Sequence, residues 1–155
     1  MRPRSDAVQS GFEYPVERLL QLRGILTKDD MCHPNTKDHE GENCLYVIKP
    51  GLTSLPTIGR ATGFFSHVRE YFPNQTHWDS TEWAILPYDN DSGAFSKRGV
   101  SGSMIASGTG EFGGLLTGGS GQTESLDIAY ATPMFWLWHV IKAKFPNADL
   151  SPVFN

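Results

Sequence analysis

The feature that most constrains the fold is a series of short apolar segments separated by glycine and proline. The 155 residues include 16 glycines and 10 prolines, which cluster between these segments. Segments of this kind are typical of β-strands joined by turns. The predicted strands are 44–49, 53–62 continuing into 64–68, 82–86, 103–106, 112–117 and 127–131. Their regular spacing predicts a small antiparallel barrel, and the segments 103–106 and 112–117 are predicted to form a hairpin around the turn Gly108-Thr109-Gly110.

Helical patterns flank the predicted strands. Residues 15–24 have a proline at the start, helical apolar spacing and a glycine stop, and residues 27–30 resemble a capping box. Near the other end, Thr132 is the predicted N-cap and Pro133 the first residue of a helix that ends near Phe145. Its apolar stripe, predicted to pack on the sheet, is Phe135, Trp138, Ile141 and Phe145.

Composition bounds the class of protein. The net charge is −4 without a basic patch, so we expect no nucleic acid partner. No apolar stretch reaches about 18 residues, so we expect no membrane partner. No secretory signal is visible, which favours a cytoplasmic location. Two cysteines, Cys32 and Cys44, are too few for a disulfide framework; one bridge is conceivable, but free thiols are favoured.

The most distinctive motif is Gly99-Val100-Ser101-Gly102-Ser103, which stands at the start of an apolar segment. A serine hydroxyl becomes a nucleophile when a base takes its proton and backbone N–H groups stabilise the oxyanion. On these five residues alone, a glycine–serine β-turn without chemistry is the favoured interpretation.

Three further segments change that interpretation. They are 47–59, 112–119, and 127–133 followed by the predicted helix. Together and in this order the four segments resemble the trypsin-like (chymotrypsin-fold) serine protease family, whose motif is Gly-Asp-Ser-Gly-Gly or Gly-Asp-Ser-Gly-Ser. The chain is also similar to uncharacterised fungal proteins with the same turn and tail. The resemblance covers roughly residues 44–145.

The resemblance implies an all-β fold: a six-stranded antiparallel Greek-key barrel with a short N-terminal helical segment and a C-terminal helix. We therefore expect an N-terminal extension over 1–43 and the barrel domain over 44–150. The resemblance also implies that Ser101 is the nucleophile and that the amides of Gly99 and Ser101 form the oxyanion hole.

Substrate contacts follow from the same resemblance. Phe95, six residues before the serine, falls at the specificity position, where its ring would fill or cap the pocket. Thr117 begins the segment that would pair with the substrate backbone, and Gly118 and Gly119 would form an open wall of the pocket.

Two departures predict an inactive chain. Val100 replaces the motif's aspartate, and every matched segment belongs to the second of the family's two barrels, whereas the catalytic histidine and aspartate lie on the first. Residues 1–43 are too few for that barrel. We therefore expect a serine-protease-like hydrolase half-domain whose partner is the missing barrel or a peptide segment. The alternative is a non-enzymatic binding module, because an unpartnered apolar face must be covered.

An internal base is not expected. His67 with Asp79 or Asp89 gives the order histidine, aspartate, serine, but His67 lies within the second-barrel region and lacks the family's Ala-x-His-Cys context. His33 lies in a polar loop. Both are predicted to be surface or boundary histidines.

Other motifs are weaker, so no cofactor or metal is expected. Residues 108–113 match Gly-x-Gly-x-x-Gly, but no βαβ unit surrounds them. Ser103 stands where an α/β-hydrolase elbow requires glycine. The four potential zinc ligands match no standard spacing; they are Cys32, His33, His39 and Cys44.

Overall fold

The computed structural model describes residues 20–38, 40–50, 56–97, 99–120 and 128–150. Within these residues the chain forms eight strands and two helices. They are α1 (Lys28–Cys32), β1 (Thr36–Lys37), β2 (Asn43–Lys49), β3 (Thr57–Ala61), β4 (Phe65–Tyr71), β5 (His77–Pro87), β6 (Met104–Ser107), β7 (Phe112–Ser120), β8 (Ile128–Pro133) and α2 (Met134–Lys144).

Six of the strands close into a barrel. Their order is β2-β3-β5-β8-β7-β6, and β6 closes the circle by pairing with β2 at Val47↔Ser107 and Ile48↔Ala106. Every pairing is antiparallel. The predicted six-stranded antiparallel barrel and the predicted β6–β7 hairpin are therefore confirmed.

The barrel interior is filled by alternate strand residues, as the two-residue side-chain period requires. Its fully buried members include Val47, Trp83, Ile85, Ile105, Leu116, Ala129 and Ala131. Phe95 joins them from the connection between β5 and β6. Gly59 makes room for that ring, because a Cβ at this position would lie 2.6 Å from Cδ2 of Phe95.

The segment that precedes β1 pairs with the start of β7 and places Leu26 in the core. The N–H of Leu26 donates to the carbonyl of Phe112 at 3.1 Å, and Arg23 donates similarly to Gly110 at 2.7 Å. This pairing holds residues 20–23 outside a helix, so the helix predicted over 15–24 is wrong there; residues 15–19 lie outside the described residues. The predicted capping box is confirmed, with Thr27 and Asp30 bonded reciprocally at the start of α1.

The predicted strand across 53–68 divides in two. Residues 51–55 lie outside the described residues, and Gly63, with φ +89°, separates β3 from β4. Strand β4 then forms a hairpin with β5, from Phe65↔Trp83 to Tyr71↔His77. This hairpin extends beyond the part of β5 that pairs with β3 and β8.

The start of the last helix differs from the prediction. Strand β8 continues through Pro133, which is itself the N-cap of α2 and makes no side-chain capping bond. Thr132 is not the cap, because it pairs with Leu115 in the sheet and its hydroxyl donates to Glu82. Phe135 packs against the core, whereas Phe145, at 63% exposure, does not belong to a buried stripe.

Candidate functional site

Ser101 lies in a tight turn immediately before β6. The carbonyl of Val100 accepts the N–H of Ser103 at 3.2 Å, which makes Ser101 and Gly102 the central residues of a β-turn. Gly102 has φ +87°, the conformation that a type II turn requires at its third residue. The turn therefore exposes Ser101 at the start of a strand, where the sequence predicts it.

Two contacts anchor this turn to the barrel. The N–H of Gly102 donates to the carbonyl of Leu116 on β7 at 2.7 Å, and the side chain of Val100 packs against the hydrophobic core. Where the family motif has a carboxylate, this chain uses apolar packing. The turn is thus held without the polar contacts of an aspartate.

The hydroxyl of Ser101 is oriented toward β7. Its Oγ lies 3.4 Å from the carbonyl oxygen of Thr117, at the long limit of a hydrogen bond. Thr117 is the extra residue of a bulge between Leu116 and Gly118, and bulges reorient side chains. A carbonyl oxygen accepts a hydrogen bond but does not remove the serine proton, so this contact does not activate the nucleophile.

The remaining predicted site residues lie on both sides of this turn. Gly99 is exposed with φ +91°, a left-handed conformation that favours glycine. Thr117 and Gly119 are exposed and Gly118 is half-buried, all on the second half of β7. The turn and this half-strand are therefore neighbours on the surface.

Phe95 lies inside the barrel. Only 1% of it is exposed, and its carbonyl accepts the hydroxyl of Thr57 at 3.0 Å. The ammonium Nζ of Lys49, a residue that is also buried, lies 5.7 Å from the ring centroid of Phe95. Burial lowers the pKa of Lys49. The predicted specificity side chain thus fills the core.

A buried carboxylate that the sequence did not single out lies close to this surface. Glu82 is 8% exposed on β5, and its Oε2 accepts the hydroxyls of Thr132 at 3.1 Å and Thr117 at 3.3 Å. Trp83 faces the barrel interior, so Glu82, its neighbour, faces outward. The sequence signal that could have identified it is the presence of an acidic residue, Glu82, in the otherwise apolar strand 82–86.

The histidines have partners of their own. His33 Nδ1 lies 2.9 Å from Asp29 Oδ1, and His67 Nδ1 lies 3.3 Å from the hydroxyl of Thr81. The predicted position of each on the surface agrees with its exposure.

Asp79 and Asp89, the two aspartates considered with His67, are also engaged. Arg69 binds Asp79 through two nitrogens at 2.6 and 2.9 Å, and its hydrogen bond holds the pKa of Asp79 below the usual value. The carboxylate of Asp89 accepts the N–H of Asp91 at 2.9 Å and so stabilises its own turn.

The cysteines are free thiols. Cys44 is buried and burial raises its pKa, which disfavours the reactive thiolate, while Cys32 is half-buried. Among the described residues, no three His, Cys, Asp or Glu side chains are grouped as a metal site. His39, the remaining potential zinc ligand, lies outside the described residues.

No helix in the described ranges is long and apolar enough to cross a bilayer.

No family model matches the chain, and no curated protein is found to be similar to it.

Proposed function

We propose that this chain is the second barrel of a trypsin-like serine protease and that it does not hydrolyse peptide bonds with its own residues. The observation that carries the proposal is the Val100–Ser103 turn, which exposes Ser101 before β6 and is anchored on β7. The order β6-β2-β3-β5, in which a fourth strand returns beside the first, is the arrangement expected of a Greek key and supports the same proposal.

The absence of activity is proposed on chemical grounds. A general base must come within about 2.6–3.2 Å of the serine oxygen, directly or through one water. Within the described part of the chain, the hydrogen-bond partner of Ser101 Oγ is instead the carbonyl of Thr117 at 3.4 Å. In a complete enzyme Ser101 would attack the substrate, the amides of Gly99 and Ser101 would bind the oxyanion, and a base from another barrel would take the proton.

Labelling with a fluorophosphonate tests this proposal. We expect the native chain to be labelled no faster than Ser101→Ala, because a serine without a base stays protonated. Hydrolysis of a peptide amide is measured on the same pair, since an oxyanion hole alone can give about 10³-fold acceleration over water. Rapid, Ser101-dependent labelling would show that the base lies within this chain.

Restoring the motif aspartate is expected to damage the fold and not to create activity. Val100→Asp places a carboxylate against the hydrophobic core, so we expect the free energy of unfolding to fall by about 1–3 kcal/mol. Urea denaturation of Val100→Asp and Val100→Ala separates the cost of the charge from the loss of packing. Robust turnover by Val100→Asp would contradict the proposal.

A second candidate function is protein binding without catalysis. It is favoured by large exposed aromatic side chains on the β4–β5 hairpin, where Tyr71 is 73% and Trp78 69% exposed. Aromatic side chains are enriched in protein interfaces. Binding to this region does not require Ser101 to be a nucleophile.

A further inference from the structure

A groove lies between the β4–β5 hairpin and the first turn of α2. Its volume is about 990 Å³. The two exposed indoles that line it are Trp78 from the hairpin and Trp136 from the helix, and phenyl rings of Phe65 and Phe135 line it as well. Glu82 and Thr132 line it as well. The groove therefore combines aromatic walls with a buried carboxylate.

The groove follows an open edge of β5. Strand β8 pairs with β5 from Trp83 to Ile85, and just beyond this pairing Thr132 still lies beside Glu82 before the chain turns into α2. Residues 77–80 of β5 therefore have a strand on one side, β4, and among the described residues no strand on the other. Five successive residues, 78–82, line the groove. Thr132, Pro133, Phe135 and Trp136 line the groove on one side of this stretch of β5, and residues of β4 line it on the other, so the groove includes the open edge and extends across the hairpin.

The lining of the groove is acidic on balance, because Glu70, Asp79 and Glu82 contribute carboxylates and Lys28 contributes an ammonium group. Of the described residues, those that hydrogen-bond to the carboxylate of Glu82 are neutral hydroxyl donors, and both reach the same oxygen, Oε2. Buried carboxylates in proteins are normally paired with a cation. Asp79, which also lines the groove, already binds Arg69. Indole faces attract ammonium and guanidinium groups as well.

We propose that this groove binds an extended peptide that adds as a strand to the open edge of β5 and places an arginine or lysine side chain on Glu82. Main-chain hydrogen bonds would supply affinity, and the carboxylate with its aromatic walls would select the basic residue. The net charge of −4 favours approach of a basic segment. This site adjoins the proposed nucleophile turn at Thr117, which lines the groove, but it does not use Ser101 and stands whether or not Ser101 is catalytic.

Calorimetric titration tests the cationic part. The probe is acetyl-Thr-Val-Arg-Val-Thr-amide, and its control replaces arginine with neutral citrulline. We expect the arginine peptide to bind at least tenfold more tightly. Glu82→Gln should abolish that preference, whereas Glu42→Gln, at an exposed turn residue outside the groove, should keep it. Equal binding of the two peptides to the native chain, or binding of neither at millimolar concentration, would overturn the proposal.

Backbone methylation tests the added strand. The same arginine peptide with alternate amides N-methylated, in both possible phases, should lose binding in at least one phase, because a methylated amide cannot donate to the edge. Undiminished binding of both would contradict strand addition. If circular dichroism shows that Glu82→Gln does not fold, Trp136→Ala is used in its place, because the Trp136 side chain is 55% exposed. Trp136→Ala should weaken binding of the arginine peptide about fivefold more than binding of the citrulline peptide.

Two further outcomes separate this proposal from others. Ser101→Ala should bind the peptide as the native chain does, so failure of the protease proposal leaves this one intact. Sedimentation should show a monomer at the titration concentration. A dimer that dissociates in Trp136→Ala would assign the groove to a second copy of the chain and overturn the peptide proposal.

Discussion

Replacing Phe95 with alanine is expected to lower the free energy of unfolding by about 3–5 kcal/mol. The ring is 1% exposed within the barrel core, and its Cδ2 occupies the space next to Gly59. Truncation removes this buried apolar surface and leaves a cavity that rigid, closed strands cannot collapse to fill.

Urea denaturation followed by tryptophan fluorescence measures this loss. Phe95→Leu keeps much of the volume and should cost clearly less, about 1.5 kcal/mol or below. Phe64→Ala, at a ring 71% exposed, is the surface control and should change stability by no more than about 0.5 kcal/mol. A loss under about 1 kcal/mol for Phe95→Ala would show that the ring is not a core element and would favour the pocket role that the family resemblance implies.

The parts of the fold that depend on neighbouring residues could be predicted from the sequence. The β-rich run that became β2, the turn between β6 and β7, and the Thr27–Asp30 capping box each follow from side chains a few residues apart. The barrel itself followed from the number and spacing of such strands. These features need no knowledge of distant partners.

The parts that were wrong depend on contacts between distant residues. Thr132 has the side chain of an N-cap, but its hydroxyl binds Glu82, fifty positions away, and its backbone remains in β8. Residues 20–23 were predicted helical, but the N–H of Arg23 pairs with the turn after β6. In both cases a tertiary hydrogen bond overrides the local preference.

The candidate site also combines features set by neighbouring residues with features set by distant ones. The position of Ser101 before a strand is local, because Gly102 supplies the positive φ of the turn. The burial of Phe95 and the pairing of Glu82 with two threonines are set by strands far apart in sequence. Its position six residues before Ser101 predicts that Phe95 lines a pocket, whereas the packing of the strands places it in the core. The groove could not be predicted because it requires the relative position of β5 and α2.

The second large effect is expected from the ion pair between Arg60 and Asp38. Nη1 of Arg60 donates to Oδ2 of Asp38, a residue that is 4% exposed. The other carboxylate oxygen, Oδ1, accepts the N–H groups of Glu40 at 2.9 Å and Glu42 at 3.0 Å. Arg60→Met keeps the aliphatic volume but leaves the carboxylate without its cation. We expect a loss of about 3 kcal/mol at pH 7, the lower end for a broken buried pair, because 16% of the Arg60 side chain remains exposed.

The pH dependence of this loss identifies its electrostatic origin. Burial raises the pKa of Asp38, but the hydrogen bonds from Glu42, Glu40 and Arg60 outweigh it and hold the pKa below the usual value. Because the pKa of Asp38 is lower in the folded than in the unfolded protein, its ionised form stabilises the fold at pH values above the unfolded pKa of about 3.9. This stabilisation is lost as the pH falls through the folded pKa. In Arg60→Met the carboxylate protonates more readily, so the difference between the two proteins should shrink below about pH 4. Urea denaturation midpoints from pH 3 to 7 measure this difference in stability. As a control, Arg60→Met is also made in the Asp38→Asn background, where its effect should not depend on pH in this range. A difference that stays constant down to pH 3 would show that Arg60 contributes through packing alone.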